Sequence, residues 1–446
     1  MSFHPKVVIS TLILLWANLS MYAQEANKMT IQEAVAYAMD HSFTLKNAQI
    51  EIADAEEQIV ERRAIGLPQL NASGRFQRYL EVPKQPLPEA FIDFFEAMNI
   101  PVEREASFFL KNNFTVSADL DAMIFDGSFF VGLQAAKAYR EYAAQDYVTK
   151  QREVRNKVKE AYLPVLLVQE NIRLLEKNIS NLEKLLFETS EMYKAGFSEQ
   201  LDVDRLQLSF ANLKVERDNL MRQREVALSN LKFVMNYPQD QQLEVADDLE
   251  GLLSPVADNA INGAVNTGLR PEVALMEMGI NLSELNVRLN KAGYLPSLRA
   301  FGAYQYQYQG NNSSDGFWAP AAYVGLNLSI PIFDGLNKKA KIQRAKLDLE
   351  KTINQKAELI KGINLEVENA RTTYLGARER LASQQENLKL AERIYETTQV
   401  KYREGVGSSL EVNQAEQSLF SSQSNYMQAL YDLISAQIGL EKALGQ

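Results

Sequence analysis

A series of short motifs occurs twice along the chain, and this duplication constrains the fold more than any other feature. The pairs keep the same order in both halves: Leu67-Pro68-Gln69-Leu70 with Leu295-Pro296-Ser297-Leu298, Ile124-Phe125-Asp126-Gly127 with Ile332-Phe333-Asp334-Gly335, Tyr193-Lys194-Ala195-Gly196 with Tyr402-Arg403-Glu404-Gly405, and Leu201-Asp202-Val203 with Leu410-Glu411-Val412. The first half holds an extra stretch at about residues 82–105. Repetition in order predicts two copies of one structural unit.

Each half carries a long heptad pattern, in which apolar residues are spaced alternately by three and four. The first seam consists of Val158, Ala161, Val165, Val168, Ile172, Leu175, Ile179, Leu182 and Leu186. The second seam, 209 positions later, consists of Val367, Ala370, Tyr374, Ala377, Leu381, Gln384, Leu388, Ala391 and Tyr395. Such seams predict helices that pack lengthwise. The second seam is smaller and more polar, which indicates that the two copies pack in different places.

The heptads predict helices at about residues 128–194 and 336–402, each ~100 Å long at 1.5 Å per residue. Gly196 and Gly405 are expected to end them, because glycine readily adopts the left-handed conformation of a helix terminus. Return helices are predicted at 199–235 and 409–444, so each half forms a hairpin. Pro164 is expected to kink the first long helix. Shorter helices are predicted at 30–40, 45–65, 259–266 and from Pro271 onward.

Two segments of alternating apolar and polar residues precede each long helix. The stronger patterns lie at 114–124 and 322–332, and their weaker partners lie at 70–79 and 298–308. This period and length are typical of membrane-barrel strands, although soluble hairpins share the pattern. Four strands are too few to close a barrel, and lipid does not tolerate free strand edges. Membrane insertion would therefore require several chains to share one barrel.

Aromatic residues mark the loops and ends of these strands. Tyr304, Tyr306 and Tyr308 fall on one strand face, as in the aromatic girdle of a membrane barrel. The first loop is expected to carry a helical flap with the following side chains: Phe91, Phe94, Phe95 and Phe108.

The N-terminus has the pattern of a secretory signal peptide. Lys6 precedes an apolar run at residues 7–16, and a small, polar stretch leads to Ala23. We predict a signal peptide over residues 1–23. A membrane anchor is the alternative, but the run is shorter than the ~20 residues that a spanning helix needs.

The composition leaves little material for catalysis. The 446 residues include no cysteine and only two histidines, His4 and His41, so thiolate sites are excluded and imidazole sites are improbable. The net charge of −10 argues against nucleic acid as a partner. The adjacent Asp247 and Asp248 lie in a polar stretch that resembles a solvated loop. We predict a non-enzymatic protein without cofactor or metal.

The turn motifs around Gly196 and Gly405, the strand ends in Phe-Asp-Gly and the terminal residues 440–445 together resemble the TolC family of outer-membrane efflux proteins. The resemblance covers essentially the whole mature chain. It implies a mixed α and β fold, with duplicated helical hairpins in a coiled-coil tunnel and four membrane strands per chain in a 12-stranded barrel shared by a trimer. It also implies a passive export duct in the outer membrane. Its periplasmic portion would dock a periplasmic adaptor (membrane fusion) protein and an inner-membrane transporter.

The same resemblance divides the mature chain into three parts. Residues 24–236 form a first repeat, with its strand pair at about 69–125 and its hairpin at about 128–236. Residues 237–258 form an equatorial linker. Residues 259–446 form a second repeat, with its strand pair at about 297–333 and its hairpin at about 336–444.

Some functional positions follow from the resemblance. Glu411 corresponds to the first of two aspartates that ring the closed periplasmic entrance, and the neutral Gln414 corresponds to the second. Gly407 replaces an arginine that links neighbouring helices in some members, while Asp202 and Tyr402 match its other partners. We therefore expect a hydrogen bond from Tyr402 to Asp202 without the salt bridge, hence a looser entrance that attracts cations less. An ordinary carboxylate at a helix start is the alternative for Glu411. The expected adaptor-contact tips are Ala195, Gly196, Phe197, Ser198, Gly405 and Val406.

A second function class is a periplasmic adaptor or a structural coiled-coil protein of an export complex. Adaptors also use long helical hairpins, but they normally have one hairpin flanked by small β domains. This chain has two hairpins and two strand pairs, which favours the duct.

Overall fold

The computed structural model describes residues 27–107, 109–312 and 315–445. The predicted signal peptide at residues 1–23 and the flap residue Phe108 lie outside these ranges. The chain order of the helices is α1 Ile31–His41, α2 Phe43–Ala64, α3 Glu89–Ala97, α4 Gly127–Lys194, α5 Gln200–Met235, α6 Asp258–Asn262, α7 Pro271–Ala292, α8 Asn337–Arg403 and α9 Ser409–Leu444.

The long helices have the bounds that their heptads predict, within one residue. α4 contains 68 residues and α8 contains 67, and each is followed by a return helix of 36 residues. α4 continues through Pro164 as one helix. α6 is shorter than the predicted helix at 259–266, because Gly263 comes directly after its last residue. A short 3₁₀ turn, Thr267–Leu269, lies further along the chain.

The strands are β1 Asn27–Met29, β2 Gln69–Arg78, β3 Gln85–Pro86, β4 Glu105–Ala106, β5 Asn112–Asp126, β6 Leu243–Val245, β7 Ser297–Gly310 and β8 Phe317–Ser329. Four of them form one antiparallel sheet in the order β2-β5-β7-β8. Its central pair, β5 with β7, joins the first repeat to the second from Asn112 opposite Gly310 to Asp126 opposite Ser297. The strands β2 and β8 occupy the two edges.

The predicted bounds of the last strand, residues 322–332, were wrong. β8 begins at Phe317 and ends at Ser329, so Ile330 and Ile332 lie beyond it rather than inside it. Pro331 explains the early end, because proline has no N–H to donate to a ladder. Pro320 is tolerated within β8 because β8 is an edge strand.

The loop between β2 and β5 carries the predicted helical flap. It holds α3 and the small antiparallel pair of β3 with β4. Phe95 packs against Phe91 and Phe94, with ring centroids 5.6 Å and 5.5 Å apart.

The chain consists of two compact units. Among the described residues, the first unit contains those up to Glu51, those of 143–277 and those from Gln355 onward, and the second unit contains those of 52–142 and 278–354. In the second unit, the β2-β5-β7-β8 sheet is the main element. In the first unit, the short strands β1 and β6 pair in parallel, with Asn27 opposite Leu243.

The core of the first unit forms along the predicted seams. Val158, Val165, Leu175 and Leu182 of the first seam and Val367 of the second have no exposed surface. The other seam positions are buried or half-buried. Apolar burial of this kind drives helix packing at about 25 cal/mol for each Å² removed from water.

Within the described ranges, we find no helix whose length and hydropathy would suit it to cross a membrane.

Candidate functional site

The two helical hairpins turn with the same backbone hydrogen bonds. Phe197 donates its N–H to the carbonyl five residues earlier at 2.8 Å, and Val406 makes the equivalent bond at 3.0 Å. Gly196 and Gly405 take the left-handed conformation, with φ of 82° and 74°. This is the Schellman arrangement, in which a glycine just past the helix end lets two carbonyls of the last turn find donors. The repeated motifs therefore encode the same turn twice.

The turns expose apolar side chains that the chain itself does not cover. Phe197 is 80% exposed and Val406 is 77% exposed. Ala195, Gly196 and Gly405 are also exposed, and Ser198 is half-buried. The residues expected at the adaptor-contact tips thus lie together at two short turns.

Glu411 and Gln414 lie three residues apart on α9, and both are exposed. Glu411 forms a capping box with Ser408: its N–H donates to the Ser408 hydroxyl at 3.3 Å, and its carboxylate accepts from the Ser408 N–H at 3.5 Å. Glu411 thus caps the start of α9, as an ordinary carboxylate at a helix start does.

The expected hydrogen bond from Tyr402 to Asp202 is absent from the described structure, and that prediction was wrong. The buried hydroxyl of Tyr402 donates instead to the Thr189 hydroxyl of α4 at 3.2 Å. Asp202 lies at the start of α5 and bonds elsewhere. The reason is that Tyr402 belongs to the end of α8, which packs against the end of α4 in a shared apolar cluster with Leu182 and Leu185.

Asp202 links the first turn to the start of α9. Its carboxylate accepts a hydrogen bond from the buried Ser409, another from Ser198 at 3.0 Å and one from the Glu199 N–H at 3.3 Å. Arg205 lies 3.9 Å away. Burial alone would raise the pKa of Asp202, but these hydrogen bonds stabilise its charged form and lower the pKa below its ordinary value.

Further polar contacts join the hairpins near the turns. Arg403 pairs with Glu188, with 3.0 Å between Nε and Oε2, and the Arg205 guanidinium donates to the Ser409 hydroxyl at 3.3 Å. The sequence analysis did not identify these residues. Their separations along the chain, 215 and 204 residues, are close to the repeat shift of 209. A search for pairs of polar residues about one repeat shift apart would therefore have found them.

No group of three or more His, Asp or Glu side chains suited to hold a metal ion occurs within residues 27–107, 109–312 and 315–445.

Comparison with known proteins gives one consistent result. The family model described as "Outer membrane efflux protein" matches residues 34–236 and 268–446. The chain is 25% identical over 334 residues to the pyoverdine export outer membrane protein OpmQ of Pseudomonas aeruginosa, covering 74% of this chain and 69% of OpmQ. It is 23% identical over 340 residues to the outer membrane protein TolC of Vibrio cholerae, covering 72% of this chain and 74% of TolC.

Two solved structures share the fold. A crystal structure of CusC superposes with a TM-score of 0.73 at 16% identity and covers 94% of this chain and 93% of CusC. The outer membrane protein VceC from Vibrio cholerae superposes with a TM-score of 0.68 at 16% identity and covers 93% of this chain and 96% of VceC.

Proposed function

Because the chain belongs to the outer membrane efflux protein family, and is thus an outer-membrane export channel with a large periplasmic portion, we propose that three copies of it build one duct. In this duct, each chain adds four strands to a 12-stranded barrel and two hairpins to a tunnel. The duct conducts passively and catalyses no reaction.

The open edges of the four-stranded sheet carry this proposal. Within the described part of the chain, the strands β2 and β8 each have one neighbouring strand, so each leaves a row of backbone N–H and C=O groups without a strand partner there. In hydrocarbon such groups cost several kcal/mol each. Pairing of the β8 edge of one copy with the β2 edge of the next removes both free edges, and a closed ring of three copies leaves none.

The side chains of β8 suit a lipid face. Val324, Leu326 and Leu328 are 89%, 67% and 58% exposed, and they share one face because strand residues two apart point the same way. The stacked rings of Tyr306 and Trp318 lie 4.9 Å apart. An apolar band flanked by aromatic rings is the pattern of a strand at a membrane boundary.

The number of copies can be measured on protein extracted from outer membranes in mild detergent. We expect native mass measurement to give a species of three chains that also migrates as an oligomer in an unheated gel. A stable monomer or dimer in detergents that preserve other outer-membrane oligomers would refute the shared barrel.

The entrance of the proposed tunnel is formed by the first turns of α9, where Glu411 and Gln414 are exposed. We expect Glu411→Ala to lower the ratio of cation to anion permeability, because three copies would lose three carboxylates at one constriction. The measurement is reversal potential in planar bilayers under a salt gradient. Gln414→Ala is the matched control, since it shortens an exposed neighbour without changing charge. An equal effect of both variants would show that the charge of Glu411 does not set the selectivity of the entrance.

The exposed tips are proposed to dock a periplasmic adaptor, which connects the duct to an inner-membrane transporter. Phe197 and Val406 offer apolar surface that remains in water in the isolated chain, and burial of such side chains stabilises a complex. With an adaptor co-expressed, wild type is expected to retain it through purification and Phe197→Asp to lose it. Retention of the adaptor by Phe197→Asp would show that Phe197 is not part of the docking surface.

A further inference from the structure

The start of α9 carries a buried polar seam that faces the first hairpin. Its polar positions are the buried Ser409, Asn413 and Glu416 and the half-buried Gln423, and the apolar Phe420 completes the spacing of three or four residues. This spacing places them on one side of a helix. Ser409 donates to Asp202 of α5, Asn413 accepts from Ser209 of α5 at 3.2 Å, and Gln423 accepts from Asn178 of α4 at 2.7 Å.

Glu416 is the exception in this seam. Only 9% of it is exposed, yet no hydrogen bond or ion pair joins its carboxylate to any residue in the described ranges of the chain. Buried polar groups in proteins are satisfied in the large majority of cases, so an unpaired one needs an explanation. The neighbouring polar residues of the seam find partners on the first hairpin, which shows that the packing there admits such bonds.

A buried hydroxyl group lies beside Glu416. The hydroxyl of Tyr395 on α8 is buried and has no hydrogen-bond partner among the residues that the structure describes, and the residue is 8% exposed. Both side chains line one cavity of about 140 Å³. All four helices of the two hairpins contribute to its wall, with Asn178 from α4 and Ser209 from α5 among the lining residues. A cavity of this size has room for several water molecules.

None of the described residues that line the cavity beside Glu416 carries a positive charge. From α4 and α5, the lining side chains are amides, one hydroxyl and one leucine, and α8 contributes only Tyr395. Burial therefore raises the pKa of Glu416 to about 7. Burial and then the nearby Glu416 raise the pKa of Tyr395 to about 12, and Arg403 opposes this shift. Tyr395 thus stays neutral while Glu416 titrates near neutral pH.

We propose that Glu416 is a proton-binding site that controls whether the first turns of α9 stay packed against the first hairpin. With its proton, the side chain is neutral and the seam remains closed. Without its proton, the buried carboxylate requires hydration, water enters the adjacent cavity, and the neutral hydrogen bonds at Asn413 and Gln423 give way. That this separation opens an export path rests on the proposed function, whereas the separation itself does not.

The direction of the pH effect follows from linkage. The packed state holds the proton more tightly than a hydrated state, in which a glutamate titrates near its ordinary value of 4.5. The stabilising effect of the proton is thus complete below about pH 4.5 and declines as the pH rises to about 7. Above that range, the packed state is at its weakest.

Hydrogen–deuterium exchange of the full-length protein tests this proposal. After correction for intrinsic rates, we expect peptides covering residues 409–423 to exchange about 30-fold faster at pH 8 than at pH 5.5, as a pKa shift from 4.5 to about 7 predicts. The variant Glu416→Gln keeps the shape and removes the charge, so its exchange should be slow at both pH values. Glu396→Gln, which removes an exposed carboxylate next to Tyr395, should behave as wild type.

Each outcome is decisive. Equal protection of wild type at the two pH values, or a pH response that persists in Glu416→Gln, overturns the proposal. The wild-type comparison requires no variant, so it stands even if a substitution prevents folding. Bilayer conductance of the same samples separates the two claims: a pH response in exchange without one in conductance would contradict the proposed entrance and leave the proton-binding site intact.

Discussion

The variant Arg270→Ala is expected to lose about 3 kcal/mol of stability, because it removes a buried guanidinium that donates hydrogen bonds to two partly exposed carboxylates and to a backbone carbonyl. Arg270 is only 7% exposed. Its guanidinium donates to Glu272 at 3.0 Å, to Glu366 at 3.0 Å and to the carbonyl of Ala443 at 2.8 Å. These bonds join the start of α7 to α8 and to the end of α9. Alanine leaves the carboxylates and the carbonyl without their donor.

The loss should also depend on pH in a defined direction. Burial tends to raise the pKa of Glu272, but the hydrogen bond from Arg270 outweighs it and the pKa lies below its ordinary value of 4.5. A carboxylate with a lowered pKa contributes stability above its ordinary pKa and loses it as the pH falls through the lowered one. The difference between wild type and variant should therefore be large at pH 7 and shrink as the pH falls below 4.5.

Thermal unfolding followed by circular dichroism at both pH values measures this effect. Arg403→Ala is the matched control, since Arg403 also pairs with a carboxylate on another helix but both side chains are about half exposed. Exposed pairs contribute ~1 kcal/mol or less. If the two variants lose similar stability, burial of the Arg270 network has no special weight.

The variant Leu430→Ala is expected to lose about 3 kcal/mol, within a range of roughly 2–5 kcal/mol for buried leucines. Leu430 of α9 has no exposed surface. It belongs to the large apolar cluster that also contains Tyr162, Leu166 and Leu231. Truncation removes buried methyl groups and leaves a cavity where two hairpins meet. Chemical denaturation should show the lower midpoint.

The conservative variant Leu430→Met separates volume from position. Methionine has a similar volume and adapts to its surroundings, so the expected loss is below ~1.5 kcal/mol. A large loss in both variants would indicate that the shape of the side chain, rather than the filled volume, is critical. No loss in Leu430→Ala would show that the surrounding helices close the cavity.

The helices were predictable because their signals are local. Heptad spacing, a glycine past each helix end and a capping residue all act within a few turns, so the bounds of α4 and α8 followed from the residues in them. The seam positions were predictable for the same reason. The buried side chains of Val158 and Val367, one repeat shift apart, occupy equivalent positions in the two helices.

The contacts between the repeats were not predictable in the same way. The pairing of β5 with β7 and the bond from Ser409 to Asp202 depend on residues about two hundred positions apart. The resemblance to a family identifies equivalent positions in this chain but not their hydrogen-bond partners. For this reason Tyr402 was expected to bond to Asp202 rather than to Thr189. The role of Glu416 was also hidden, since burial by three other helices gives a glutamate no distinctive pattern in its own segment.

The pairing of β1 with β6 has a consequence for the order in which the chain can mature. Met29 accepts a hydrogen bond from the Tyr162 hydroxyl at 2.7 Å, and Ile31 donates to the carboxylate of Asp247, 216 residues later. A chain that emerges N-terminus first exposes β1 long before β6 exists, so its opening segment waits without a partner for half of synthesis. Closure of so long a loop is slow. During this interval, a chaperone has access to the segment. A fragment that stops at the end of α5 lacks β6, so its β1 never finds this partner.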